Sequence, residues 1–129
     1  MIITVTLNPA LDKSLTIPDF RLDAVNRATS VRLDAGGKGI NVSKVLKVLG
    51  MDSLATGFLG GAAGRTIADA LGEMQIRGDF IQIDGETRTN LKVFDPENHT
   101  YTDLNEPGTV VSPDAMERLR NKLHAQAAP

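Results

Sequence analysis

The 129-residue chain has no cysteine and no tryptophan, and its only aromatic residues are four phenylalanines and one tyrosine. Without cysteine there is no disulfide, no thiolate nucleophile and no thiolate metal site. With so few rings, the core has to be built from aliphatic side chains. Long apolar runs are also missing. Met1-Ile-Ile-Thr-Val-Thr-Leu7 has no basic leader and no spanning stretch, so neither a signal peptide nor a membrane helix is expected, and the cytoplasm is the expected location. Nor is there an excess of positive charge. Fourteen Lys and Arg against sixteen Asp and Glu give a formal net charge of -2, which is no clustered basic footprint for nucleic acid. An anionic small molecule needs only two or three local cations and stays allowed. His99 and His124 lie far apart without partners at ligand spacing and are expected on the surface.

What is present is ordinary in bulk: 41% hydrophobic and 23% charged residues, as in a soluble globular protein. The length suits one domain or a piece of a larger one. The concentrated feature is Gly36-Gly-Lys-Gly39, followed at once by Val42, Val45, Leu46 and Leu49 at helical spacing and by Gly50 as a stop. A side-chain-poor loop thus feeds a helix N-terminus, with free N–H groups and the positive end of a helix dipole. Taken alone, the stretch reads equally as an anion or hydroxyl site and as a strand-to-helix turn carrying a chance lysine.

Along the chain, Ile2 to Leu7 predicts a first strand stopped by Asn8-Pro9. Asn8 and Asp12 then stand at its carboxyl end, either as turn formers and caps or as ligands. Leu15–Ile17 and Ala28–Leu33 predict short strands around a polar connection. A helix over Lys38–Leu49 follows, then a strand over Ser53–Phe58. A second glycine turn, Gly57 to Gly64, opens a helix over Arg65–Met74 with Ile67, Ala70, Leu71 and Met74 on one face. Phe80–Ile83 predicts a further strand. Thr87–Phe94 and Thr100–Leu104 predict a hairpin belonging to an accessory sheet. Ser112-Pro113-Asp114 opens a last helix, with Met116, Leu119 and Leu123 as its apolar face. This order predicts an α/β fold with a parallel sheet.

Generic nucleotide motifs fail. Leu59 and Arg65 break the P-loop pattern around Gly64-Arg-Thr66, and Val42 stands where a dinucleotide fingerprint needs its third glycine. Five segments in order carry a more specific resemblance: Thr6-Leu-Asn-Pro-Ala-Leu-Asp12, Ala35-Gly-Gly-Lys-Gly-Ile-Asn-Val-Ser43, Gly57-Phe-Leu-Gly-Gly61, Thr87-Arg-Thr-Asn-Leu-Lys92 and Leu104-Asn-Glu-Pro-Gly108. Together they resemble the N-terminal portion of the phosphofructokinase-B branch of the ribokinase-like sugar kinases, nearest to 1-phosphofructokinases and tagatose-6-phosphate kinases.

That resemblance implies a ribokinase-like three-layer α/β sandwich with a small β-sheet lid, whose strands fall within 13–34 and 88–104. Residues 1–129 would be the N-terminal part of one kinase domain. The complete enzyme would use ATP and Mg2+ to phosphorylate fructose 1-phosphate to fructose 1,6-bisphosphate, with tagatose 6-phosphate as the alternative acceptor. A non-catalytic sugar-phosphate-binding or dimerisation module is the alternative of another class. Asp12 matches the acid that binds sugar hydroxyls. Gly37 and Asn41 match sugar-holding positions at the glycine loop and helix start. Arg88 matches the lid arginine that meets the substrate phosphate through its planar fork, and Lys38 is expected as a second phosphate cation. Arg27, Asn90 and Asn105 are further candidates near the lid. The family's catalytic aspartate belongs to a Gly-Ala-Gly-Asp type motif, a sequence that does not occur here. No catalytic residue, no metal ligand and no tight ATP binding are therefore expected of this chain, and it is expected to be inactive alone. A homodimer through the lid is expected, with no nucleic-acid or membrane partner.

Overall fold

The computed structural model describes residues 1–127. Strand β1 (Ile2–Thr6) pairs in parallel with β4 (Ser53–Leu59), which pairs in parallel with two short strands, β5 (Arg77–Gly78) and β6 (Ile81–Gln82). The strand expected at Phe80–Ile83 is thus two brief pairings on either side of an irregular step at Asp79 and Phe80. Helices α1 (Lys38–Val48) and α2 (Gly61–Glu73) cover one face of this sheet. Ile40, Ala55, Leu59, Ala63, Ile67, Leu71 and Ile76 form the apolar core there. Helix α3 (Pro113–Ala127) covers the other face, where Ala115 and Leu119 pack on Phe58 and Ile81. Helices on both faces make the three layers.

A second sheet stands beside the first, in the order β3 (Ser30–Gly36), β2 (Ala10–Thr16), β7 (Arg88–Asp95), β8 (Thr100–Asn105). β2 and β7 are parallel, and the outer pairs are antiparallel. Asp34, Asp12, Asn90 and Asn105 occupy one register row across all four strands. Side chains alternate along a strand, so this row shares a polar face with Arg32, Ser14, Lys92 and Asp103. The opposite face starts with Leu11 and Ala35, which enter the core under α2. The first lid strand therefore begins at Ala10, well before Leu15, and Asp12 lies inside β2 rather than in a turn after β1.

Three helix faces differ from the expected ones. On α2, Ala63 and Gly64 join Ile67 and Leu71 on the buried side, and Met74 is exposed. Ile40 and Ser43 are the buried side of α1, whereas Val42, Val45 and Leu49 are more than half exposed and Leu46 is partly buried. The reason is a polar seam: Ser43 Oγ hydrogen-bonds Thr4 Oγ1 at 2.7 Å and accepts from Ser53 Oγ at 2.8 Å, which binds this side of α1 to β1 and β4. On α3, Ala115 rather than Met116 completes the inner face with Leu119, and Met116 is 47% exposed. The Ser112 hydroxyl accepts the Ala115 N–H at 3.1 Å, as a capping serine should. His99 and His124 are exposed.

Candidate functional site

The chain has two glycine turns leading into helices, and their N-termini differ. At α2 the end is filled from within. Glu86 Oε1 accepts the Ala63 N–H at 2.6 Å, and Thr87 Oγ1 accepts that of Gly60 at 2.9 Å. A carboxylate already occupies the position an anionic ligand would take. At α1 the N-cap is Gly37, with no side-chain cap and no acid in the first turn. Among the described residues the only side-chain acceptor supplied there is Thr6 Oγ1, which takes the Ile40 N–H at 2.9 Å. Gly37 has φ 127°, open to glycine and strained for other residues. A Cβ on Gly39 would run into Thr6 and the Val5 carbonyl, so glycine lets α1 approach β1 closely.

In front of this end lies a cavity of about 410 Å³ lined by β1 residues, Asn8, Gly37, Lys38, Gly39, Asn41 and Arg88. Four expected site residues, Gly37, Lys38, Asn41 and Arg88, thus converge from two distant segments. Arg88 opens β7 and is held by three carbonyls: Asn8 (Nη2, 3.1 Å), Glu106 (Nη1, 3.3 Å) and Pro9 (Nε, 3.4 Å). Lys38 is exposed and makes no ion pair among the described residues. Lys44 Nζ donates to the Ala35 carbonyl and ties α1 to the strand that enters the loop.

Asp12 does not line the cavity itself. Its carboxylate packs against Gly36, the residue before the N-cap, so it borders the loop from the lid side. Its register neighbour Asn90 buries Oδ1 without a hydrogen-bond partner among the described residues. A buried amide oxygen of this kind normally has a partner, which marks the Asp12–Asn90 row as able to accept from a ligand hydroxyl. Asn105 ends the same row at the exposed edge strand. Arg27 is not brought to this place. It sits in the exposed connection between β2 and β3, about 20 Å along β2 from Ala10 at the strand rise. There it lines a separate cavity with Arg21 and Asn26.

That connection is anchored by Asp95, which is buried at the end of β7. Its carboxylate accepts the N–H groups of Asp19, Phe20, Glu97 and Asn98 and the Asn98 side-chain amide. Burial works to raise its pKa. The hydrogen bonds from Asn98, Asp19 and Phe20 outweigh that and hold it well below the ordinary carboxylate range.

The residue pattern alone missed Thr6, Glu86, Glu106 and the Thr4–Ser43–Ser53 seam. The strict alternation of Thr4 and Thr6 in β1 was the available signal for two of them. Glu86 and Glu106 lie beside or within quoted motifs but act through loop geometry that no spacing reveals.

The sequence model of the pfkB family of carbohydrate kinases matches residues 5–126. A 1-phosphofructokinase of Borreliella burgdorferi is 43% identical over 123 residues, covering 95% of this chain and 39% of that protein. A tagatose-6-phosphate kinase of Staphylococcus epidermidis is 38% identical over 123 residues, with the same two coverages. The crystal structure of Escherichia coli phosphofructokinase-2 in complex with fructose 6-phosphate superposes with a TM-score of 0.91 at 27% identity, covering 96% of this chain and 41% of that one. The chain therefore spans about two-fifths of the length of the curated relatives it matches.

Proposed function

The chain belongs to the pfkB family of carbohydrate kinases, and we propose that it forms the acceptor-holding part of an enzyme that phosphorylates fructose 1-phosphate to fructose 1,6-bisphosphate. The observation that carries this reading is the convergence of Gly37, Lys38, Asn41 and Arg88 on one cavity at the uncapped end of α1. Two cations and a helix N-terminus suit a phosphate, and Arg88 offers a planar fork to two of its oxygens. Asp12 and Asn90, on the adjoining row, suit sugar hydroxyls, one as an acceptor and the other as both donor and acceptor.

In the complete kinase ATP would supply the phosphoryl group, with magnesium screening its charge. Among the described residues no group of three or more His, Cys, Asp or Glu gathers as a metal site, and no residue here is assigned to magnesium, to ATP or to the catalytic base. The work of this chain is to bind and orient the acceptor. The lid also offers a self-association surface. Val31, Leu33 and Leu104 are half or more exposed on one face of the second sheet, which supports a homodimer through the lid. No helix among the described residues is long and apolar enough to cross a membrane, and a cytoplasmic enzyme fits a phosphorylated sugar substrate. The 38% identity to a tagatose-6-phosphate kinase favours tagatose 6-phosphate as the second acceptor to test.

Two measurements test the reading. The 129-residue chain should bind fructose 1-phosphate, and Arg88→Gln should weaken that binding roughly tenfold or more, with no ATP-dependent turnover by the chain alone. Turnover by the isolated chain, or an Arg88→Gln chain that binds as wild type does, would overturn it. Comparing both sugars on the complete kinase then fixes the acceptor.

A further inference from the structure

We propose that Glu106 is a positioning residue that presets Arg88 for its anion. The inference rests on the reading of Arg88 as the phosphate ligand given above. β8 ends at Asn105, which faces Asn90. In that register Thr89 and Arg88 stand opposite Glu106 and Pro107, just past the end of the ladder. Proline has no N–H to donate and biases the residue before it towards extended backbone, so regular pairing stops here. The Glu106 side chain continues it. Its Oε1 accepts the Thr89 N–H at 2.8 Å, while its backbone carbonyl accepts Arg88 Nη1 at 3.3 Å. One residue thus grips the Arg88–Thr89 segment through side chain and main chain at once.

The rest of the turn closes the grip. The Pro107 carbonyl accepts Asn8 Nδ2 at 3.2 Å, and the Asn8 and Pro9 carbonyls take Nη2 and Nε of Arg88. A guanidinium has five N–H groups in a fixed fork. Three are spent on these carbonyls, and the one left on each Nη can be offered to a ligand. An anion such as phosphate is a strong acceptor for such charged N–H groups. An arginine already held by the protein has lost its rotamer freedom before the ligand arrives, so less is lost on binding.

The Glu106 carboxylate also adds negative charge near an anion site, which opposes binding. Its contribution is therefore geometric, and glutamine, which keeps the acceptor oxygen and drops the charge, should replace it. Alanine, equally neutral, should not. The test compares wild type, Glu106→Gln and Glu106→Ala in the 129-residue chain, with inorganic phosphate and fructose 1-phosphate as probes in an NMR titration. Glu106→Gln should bind both probes at least as well as wild type. Glu106→Ala should bind them about three- to tenfold more weakly than Glu106→Gln. Without ligand, the Thr89 amide and Arg88 Nε–H should exchange with water faster in Glu106→Ala only. Equal affinities in the two variants, or equal Thr89 exchange in wild type and Glu106→Ala, would overturn the proposal. An Arg88→Gln chain that binds phosphate unchanged would sink the acceptor-site reading, and the proposal with it, even with the Thr89 response intact.

Discussion

Thr6 Oγ1 accepts the backbone N–H of Ile40 at 2.9 Å, so the last residue of β1 caps α1 from across the sheet. The N-cap itself is Gly37, which has no side chain to do this. Because a helix leaves its first N–H groups without intrahelical partners, taking the one at Ile40 leaves those of Lys38 and Gly39 at the cavity these residues line. Thr6→Ala should cost about 1–2 kcal/mol of stability in urea unfolding, and Thr6→Ser, which keeps the hydroxyl, should recover most of it. Equal losses in the two variants would remove the capping role.

Glu86 fills the α2 N-terminus with a carboxylate bonded to Ala63 N–H. Glu86→Ala should lower stability by about 1 kcal/mol. Added phosphate should restore part of it, by taking the vacated position, and should stabilise wild type less. A Glu86→Ala chain whose melting temperature ignores phosphate would count against an anion-like role for this side chain.

Ile40 and Val45 lie on opposite sides of α1. Ile40 is fully buried and Val45 is 58% exposed. Ile40→Ala should cost about 2–5 kcal/mol, whereas Val45→Ala should stay within about 0.5 kcal/mol. Comparable losses would mean that the apolar stripe, and not the serine seam, is what α1 buries.

Asp95 has a folded-state pKa held below its ordinary value by donors from two loops. A depressed carboxylate contributes stability above its unfolded pKa, about 3.9, and loses it as pH falls from there towards the folded value. Asp95→Asn should therefore melt below wild type at pH 7, and the gap should narrow below about pH 4. A gap that stays constant down to pH 2 would show that the charge of Asp95 is not what anchors the 17–29 connection.

Much of the candidate site's arrangement was legible because its residues are packed into short segments. Gly36-Gly-Lys-Gly39 before a helix marks a helix N-terminus, and Lys38, Gly37 and Asn41 meet there simply because they are neighbours in the chain. Arg88 was legible only through the resemblance, since nothing local to Thr87–Lys92 says which cavity it enters. Asp12 was placed at the end of the first strand, because Asn8-Pro9 reads as a turn wherever the chain goes next. The structure shows that the chain re-enters a strand at once, at Ala10.

The sequence by itself determined most of the helices and strands, since apolar periodicity and turn residues are local, but not that β2 begins at Ala10 or that the strand around Phe80 splits in two. It also showed which of the two glycine loops carries a lysine. Only the tertiary structure decided that the lysine-bearing loop stays open while Glu86 closes the other. It also put Asp12 beside Asn90 on parallel strands far apart in the chain, and it left Arg27 at the far end of the lid. The physical reason is the same in each case. A period fixes that a helix has an apolar stripe, but which side is buried depends on what it meets. At α1 it meets the Thr4 and Ser53 hydroxyls, and these turn Ser43 inward and leave Val45 at the surface.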